Sequence, residues 1–564
     1  MLTAERMSLV RIYVYKPYIE EVIFSLGEAK VLHPIDIRQH LHEFDGKIQP
    51  VEAGERAFRL SSLLSRIQTL LMEVNLEEIE FSKEVKKFLT DEDILRIDEE
   101  ITAIESEYSK LVSEVKPEMM DLSLKEKFAK ELLVKKEVVE IAKLMDEIKS
   151  KMGMTKKTFV LEGWVPTKRI NELKDIVDRA SSGYCSIVEV KSKESSDEGG
   201  GVFPPTLSKT PSFAKVFERI TTSFGNPSYF EINPSLIMAI SFPIIFGLMF
   251  GDVGHGLMLF FASLLIYALR RRKLKLGEFF DYLTLGAPLL LACSLSSIFF
   301  GFLYEEIFGS EEYFKVLENW INLSLGVSIH DSTKYFSKSL ESFLSKIFGF
   351  KIRVPFPFSP FHEPTLMLLL SIYVATIHIS SGLVLGTLNK LINKEFKEAI
   401  SGPGVWLFFY LNFSYLLLKY RSRVFTVVFE RMDIVVMNLI LPLAIMLGVK
   451  LLVHRTEGFG EGLEALISSL SNTISYGRIL ALALAHGAFS KVLLMFLELG
   501  GGIMRILGIA IWGFITLLLI IVFEGLLSFI HTLRLHWVEW FLKFYSGNGV
   551  PYQPFAFSRK YTFV

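Results

Sequence analysis

The sequence predicts an α-helical polytopic membrane domain of about eight transmembrane helices, the last two long and tilted, preceded by a soluble α/β domain with two βαβ lobes joined by an antiparallel helical hairpin. Three observations carry this prediction. Half of the 564 residues are hydrophobic, yet 61 Lys and Arg stand against 62 Asp and Glu, too many charges for a uniformly embedded chain. The charges crowd into the residues up to about Lys215, and from Leu236 onward come apolar runs long enough to span ~30 Å of hydrocarbon. Between the two lies a Ser-, Asp-, Glu- and Gly-rich stretch, Lys191 to Pro205, with the composition of a flexible linker. The chain therefore divides into a soluble domain over 1–205, a linker and lead-in over 206–235, and a membrane domain over 236–564 with a short tail.

In the soluble part, Ser8 to Tyr15 alternates and is rich in strand formers, Glu20 to Leu26 is helical, and Val31 to Ile37 holds a second strand. The same order returns with a strand through Phe159 to Trp164, a helix over Asn171 to Ala180 and a strand over Tyr184 to Val190. Leu60, Leu63, Leu64, Ile67, Leu70, Leu71 and Val74 make one helical apolar seam. Phe128, Leu132, Ile141, Leu144, Met145 and Ile148 make another. With Pro117 between them, the two arms are expected to form an antiparallel hairpin that brings the outer lobes together.

Apolar runs place spans near Leu236 to Phe250, Gly254 to Leu269, Tyr282 to Leu303, Thr365 to Leu388, Gly404 to Leu418, Ile434 to Val453, Leu463 to Leu497 and Ile503 to Leu533. An even number returns the carboxyl terminus to the side of the soluble domain. The start, MLTAERMSLVRIYVYK, lacks an apolar core of signal-peptide length, which leaves that domain on the side of synthesis. Arg270, Arg271, Arg272 and Lys273, and later Lys390, Lys394 and Lys397, fall on the same side, as the positive-inside tendency requires. Lys419, Arg421, Arg423 and Arg431 fall on the other side, against it. A cell-membrane, multi-pass protein with both termini cytoplasmic is the expectation.

Composition also excludes functions. A net charge near zero and the lack of a basic stripe exclude nucleic acid as a partner. No phosphate-binding loop is present, so no ATP chemistry and no cofactor are expected. Cys185 and Cys293 lie in different domains, which makes a disulfide between them improbable. The GDVGHG segment, Gly251 to Gly256, offers one Asp and one His, too few for a metal, and reads as a tight turn between the first two spans. Glu305 and Glu306 could line an aqueous entrance, and solvated helix ends explain them equally well. The outer segment 309–364 carries no functional reading.

The polar residues that matter are Glu464, Arg478, His486, Glu524, His531 and Arg534, all at or within the last two runs, where intramembrane charge is expensive. If these runs form an antiparallel hairpin, residues at one depth have indices of constant sum. Arg478 then faces the level of Arg534, and His486 that of Glu524. Glu464 lies fourteen residues before Arg478, roughly 21 Å away toward the opposite surface. Glu524, Leu527, His531 and Arg534 share one stripe of the last helix.

FERITTSFGNPSYFEINP, FGLMFGDVGHG, SNTISYGRILALALAHGAFSKVL, FEGLLSFIHTLRLHWVEWFLKFYSGNGVPYQPF and the GWVP at Gly163 to Pro166 together resemble the a-type, or I-type, subunit of archaeal and vacuolar rotary ATPases. The resemblance runs from Gly163 to the tail and implies the following. Arg478 and Arg534 look like the paired arginines that face the ring of proteolipid subunits. Glu464 and Ser468 are assigned to the cytoplasmic half-channel, and His486, Glu524 and His531 to the outer one. The soluble domain is similar to those that bind peripheral stalks, and the ion is H⁺ or Na⁺. A secondary ion-coupled transporter and a non-transporting scaffold remain as alternatives from other classes.

Overall fold

The structure, a computed structural model, describes residues 3–44, 48–52, 54–74, 81–85, 87–114, 122–190, 203–271, 278–326, 328–348, 354, 356–421, 430–495 and 503–563. The expected bend at Pro117, most of the linker after Val190, Arg272, Lys273, Arg423 and the glycines at 500–502 lie outside these residues. The chain forms two units, one of Glu5–Leu207 with Val550–Val564, the other of Met1–Ala4 with Ser208–Gly549.

In the first unit the strands are β1 Met7–Tyr15, β2 His33–Ile35, β3 Gln49–Pro50, β4 Lys83–Glu84, β5 Gly153–Met154, β6 Thr158–Pro166, β7 Cys185–Val190 and, in the tail, β8 Thr562–Phe563. Its helices are α1 Ile19–Ala29, α2 Glu55–Val74, α3 Asp91–Glu114, α4 Leu122–Ser150 and α5 Ile170–Ala180. The expected two lobes are one sheet. β1 runs antiparallel to β6 from Met7↔Pro166 to Tyr15↔Thr158, and β7 takes its other edge, giving the order β3-β5-β6-β1-β7 with β2 also on β6. The reason is edge pairing: a three-strand lobe leaves unpaired N–H and C=O groups, which each half of this unit supplies to the other. Arg11 and Glu162, directly opposed in the ladder, meet at 3.0 Å, so the fully buried carboxylate is not left unpaired.

The expected two-armed hairpin is a three-helix arrangement. α2 and α4 carry the two predicted seams, and α3 adds Ile94, Ile101, Ile104 and Tyr108 to the same core. Arg66 of α2 holds Glu105 at 2.6 Å and also bonds Asp98, both on α3. Below the sheet, α1, α4 and α5 bury Val22, Ile23, Met145, Leu173 and Val177, and the tail adds Phe555 and Phe557. A Cβ on Gly27 would stand 2.4 Å from the Phe557 ring, so glycine there makes room for the tail.

The second unit is helical: α6 Lys215–Phe224, α7 Ser235–Met249, α8 Val253–Arg271, α9 Glu278–Tyr304, α10 Glu311–Leu325, α11 Ile329–Phe348, α12 Pro364–Ile392, α13 Val405–Tyr420, α14 Leu441–Ser475, α15 Gly477–Leu494, α16 Ile503–Ile515 and α17 Gly525–Arg534. π-helical turns over Thr516–Glu524 and Leu535–Trp540 flank α17. Among the described residues, four helical stretches are long and apolar enough to cross a membrane: Thr284–Tyr304, Pro364–Ile392, Met432–Leu494 and Ile506–Lys543. The third doubles back at Arg455 (φ 52°), so that Gly462 lies against Leu447, which accounts for two of the expected runs within one stretch. α7 has 15 residues, a rise of roughly 22 Å, short of the ~30 Å hydrocarbon layer.

GDVGHG is the turn between α7 and α8. A Cβ on Gly301 of α9 would stand 2.3 Å from the Val253 amide nitrogen, and one on Gly251 2.5 Å from the Tyr304 ring, so small residues let the turn press against α9.

The tail is held by two polar contacts. The Glu137 carboxylate accepts the Lys560, Tyr561 and Thr562 amides, the second at 2.7 Å, and the Thr562 hydroxyl at 2.6 Å. His33 Nδ1 lies 2.9 Å from the Gln553 carbonyl oxygen and 3.1 Å from its amide nitrogen. Glu137→Gln should strip hydrogen-exchange protection from Tyr561 and Thr562, at a cost of roughly 2–3 kcal/mol for lost charge-assisted bonds; unchanged protection would refute the clasp. Burial holds the His33 pKa below its ordinary 6.5, against the opposing Gln553 bond, with Lys151 adding slightly. A depressed imidazole favours docking fully above the unfolded value and loses that contribution as pH falls through it. Protection at Gln553 should therefore drop on acidification from about pH 7.5 to about pH 5, and His33→Leu should flatten the profile.

Candidate functional site

The two longest apolar stretches are also the least buried. Only 22% of the most apolar part of Met432–Leu494 and 17% of that of Ile506–Lys543 is buried, against 39% and 56% in the other two. Ile467, Leu470, Ile474, Phe489, Phe514, Leu518, Val522, Phe523 and Leu526 are exposed along them. Such a surface suits lipid or another apolar helix.

Arg478 sits at the second position of α15, just after the break at Tyr476 that separates it from α14. Its Nη1 lies 3.0 Å from Oε1 of Glu539, which is almost fully buried, while the arginine side chain keeps 23% of its exposure. Glu539 had no place in the sequence reading. The constant-sum argument assumes ideal α-helices. The π turns on either side of α17 put more residues into each turn, and the acid that meets Arg478 is five residues beyond Arg534. Arg534 itself is exposed and forms no ion pair among the described residues. His531 is half-buried and within electrostatic range of both arginines.

His486 and Glu524 meet: Nδ1 and Oε2 are 3.3 Å apart, both side chains buried, in a contact that leaves the ring nitrogens and both carboxylate oxygens without a well-formed hydrogen bond among the described residues. The same level collects more polar groups than the sequence suggested. Asp252 and His255 from the α7–α8 turn lie beside His486, whose ring centroid is 5.0 Å from that of His255. Glu306 is buried too, with Ser359 donating to it at 2.5 Å, whereas Glu305 pairs with His330 at 2.7 Å. Only a tertiary contact could reveal this grouping, since its members come from distant segments.

Glu464 is exposed on α14, and Ser468 is half-buried one turn further on. Lys543, also absent from the sequence reading, lies within electrostatic range of both Glu464 and Glu539, its Nζ 4.0 Å from the centre of the Trp406 ring. Trp406 in turn donates its indole N–H to Ser469 at 2.8 Å. The helix face that carries Glu464 thus connects through Lys543 to the acid that holds Arg478. Behind Arg478, Tyr476 bonds His378 at 2.6 Å, and His378 stacks on Trp540 beside Glu539, fixing the break from within.

These groups can hold a permanent positive charge at an apolar surface, with carboxylates and an imidazole at a separate level. Breaking a buried ion pair leaves an uncompensated charge. Glu539→Gln should therefore destabilise the folded chain by roughly 2–4 kcal/mol, less than for a fully buried pair because Arg478 is partly exposed. With Arg478→Ala added, the two losses should fall short of additivity by at least about 1 kcal/mol in a double-mutant cycle read by thermal unfolding. Strict additivity would mean that the pair does not form.

The chain matches the family model described as the V-type ATPase 116kDa subunit family over residues 57–423 and 458–557. It is 27% identical over 462 residues to the A-type ATP synthase subunit I of Methanocaldococcus jannaschii, covering 78% of this chain and 61% of that protein. It is 25% identical to the V-type proton ATPase subunit a1 of Arabidopsis thaliana, over 72% of this chain and 59% of the relative. Identity to the vacuolar isoform of V-type proton ATPase subunit a of Saccharomyces cerevisiae is also 25%, over 73% and 60%. The matches thus span about three fifths of the length of these relatives.

Proposed function

From the premise that this chain belongs to the V-type ATPase 116kDa subunit family, we propose that it is the membrane stator subunit of a rotary ATPase or ATP synthase, carries no ATP chemistry itself, and couples flow of H⁺ or Na⁺ to rotation of a proteolipid ring. The observation that carries this reading is the placing of Arg478: a permanent charge, tied to a buried carboxylate, on the least buried apolar helices of the chain.

A guanidinium cannot be deprotonated in a protein, so it stays charged at any working pH. A ring carboxylate arriving beside it is favoured in its ionised form and releases its ion. On leaving, the carboxylate can enter lipid only when neutralised, since an isolated charge in hydrocarbon is too costly. Glu539 gives the guanidinium a resting partner and a fixed direction between such encounters. Arg534, exposed and one helix away, is the second positive charge toward the ring.

In this reading His486, Glu524 and His531 serve the outer half-channel, and Glu464 with Ser468 the cytoplasmic one. Because Arg478 separates the two, an ion must travel with the ring to pass from one to the other. The α/β unit is the stalk-binding, torque-resisting domain, on the cytoplasmic side with the carboxyl terminus, and the protein lies in the cell membrane.

Arg478→Ala should abolish ATP-driven ion transport by the assembled complex reconstituted in vesicles, while ATP hydrolysis and subunit composition persist. Arg478→Lys should also be poor, because an ammonium can lose its proton and lacks the planar fork. Full coupled transport by an assembled Arg478→Ala complex would overturn the proposal.

A further inference from the structure

We propose that Asp252, His255 and His486 form a binding site for a divalent transition-metal ion of the Zn²⁺ type, and that occupancy blocks ion movement through this region. The inhibitory part rests on the reading of His486 as a half-channel residue; the binding part does not.

Asp252 ends the α7–α8 turn, His255 lies three residues on in the first turn of α8, and His486 comes from α15. All three are buried to within 2% of completely. One ligand atom from each lies within 4.8 Å of the others. Four-coordinate zinc, with bonds of ~2.0–2.2 Å, places its ligand atoms roughly 3.3–3.6 Å apart, so small side-chain rotations close the site. Two imidazoles and one carboxylate are a zinc donor set that leaves the fourth position to water.

A second observation points to a ligand. Nδ1 of His255 and both ring nitrogens of His486 have no hydrogen-bond partner among the described residues, although both rings are buried. Leaving such groups unsatisfied costs free energy, which coordination to a metal would offset. Asp252 is already oriented: the amides of His255, Phe308 and Gly309 donate to its two oxygens at 2.8, 3.0 and 2.7 Å. Three such bonds leave acceptor capacity for a metal and fix the carboxylate as second-sphere contacts fix ligands elsewhere. Glu524, 3.3 Å from His486, can orient that imidazole in the same way. Asp252, Glu524 and Glu306 are buried carboxylates, and Lys and Arg side chains are absent from the described contacts of this cluster. A doubly charged cation balances that charge. Coordination would also pin His486, removing it from proton exchange with Glu524.

The test uses the intact chain in its membrane complex, stripped with a chelator and titrated with Co²⁺. Wild type should bind about one Co²⁺ per chain more than His255→Phe or His486→Gln, with visible d–d bands of a four-coordinate site that Zn²⁺ abolishes. His255→Phe keeps the ring that packs against Phe308. If that variant fails to assemble, zinc K-edge absorption of wild type must show imidazole ligands. No uptake by wild type, or uptake equal in both variants, would overturn the site. Zn²⁺ added on the outer side should stop ion flux in wild type and lose that effect in His255→Phe. Stoichiometric binding with unaltered flux would leave the site standing and instead overturn the assignment of His486 to the ion path.

Discussion

A guanidinium inside an apolar helical layer cannot give up its charge, so the surrounding chain has to accommodate it. In this protein the accommodation is local and specific. α14 stops at Tyr476, α15 begins one residue before Arg478, and the opposite helix passes into a π turn over Leu535–Trp540 at the point where Glu539 must reach across. Helical irregularity is costly in itself and is common at functional positions for this reason. Tyr476, His378 and Trp540, all buried, pack behind the break and hold it open. The core of the second unit is therefore organised around where one charge sits.

Much of the first unit was legible because its signals are local. β1, α1, β6, α5 and β7 follow from period-two and period-3.6 patterns over single segments. Their union into one sheet depends on pairing Met7–Tyr15 with Thr158–Pro166, some 150 residues apart, which no local pattern encodes. α3 has a seam at Ile94, Ile101 and Ile104, yet its dense acidic run from Asp91 to Asp93 and Glu99 to Glu100 hides it among solvated residues. The aromatic tail reads as a loose end because its partners, Gly27 and Glu137, lie at the other extreme of the chain.

At the site, the residue types were legible and the partners were not. A charged or imidazole side chain within an apolar run is visible at once, so Arg478, His486 and Glu524 were named from the sequence. Glu539 lies in the motif HWVEW near Trp537 and Trp540, at the end of the apolar run, where an acid is unremarkable until the π turns shift the register. Asp252 and His255 were visible as a pair, and their third neighbour, His486, is more than 200 residues away. Periodicity predicts which residues share a helix face, but which faces meet is a property of the tertiary fold.

The crossing of the chain between its two units has a mechanical consequence. The polypeptide passes from one unit to the other at Leu207–Ser208 and returns at Gly549–Val550, after which fifteen residues bind into the sheet-bearing unit. A body attached at a single point swivels about any axis, but one attached at two separate points can turn only about the line that joins them. The second attachment is as strong as the clasp of Glu137 and the ring of Phe557 in the space left by Gly27. A methyl group at that glycine, far from any ion-bearing side chain, would thus turn a hinge into a swivel.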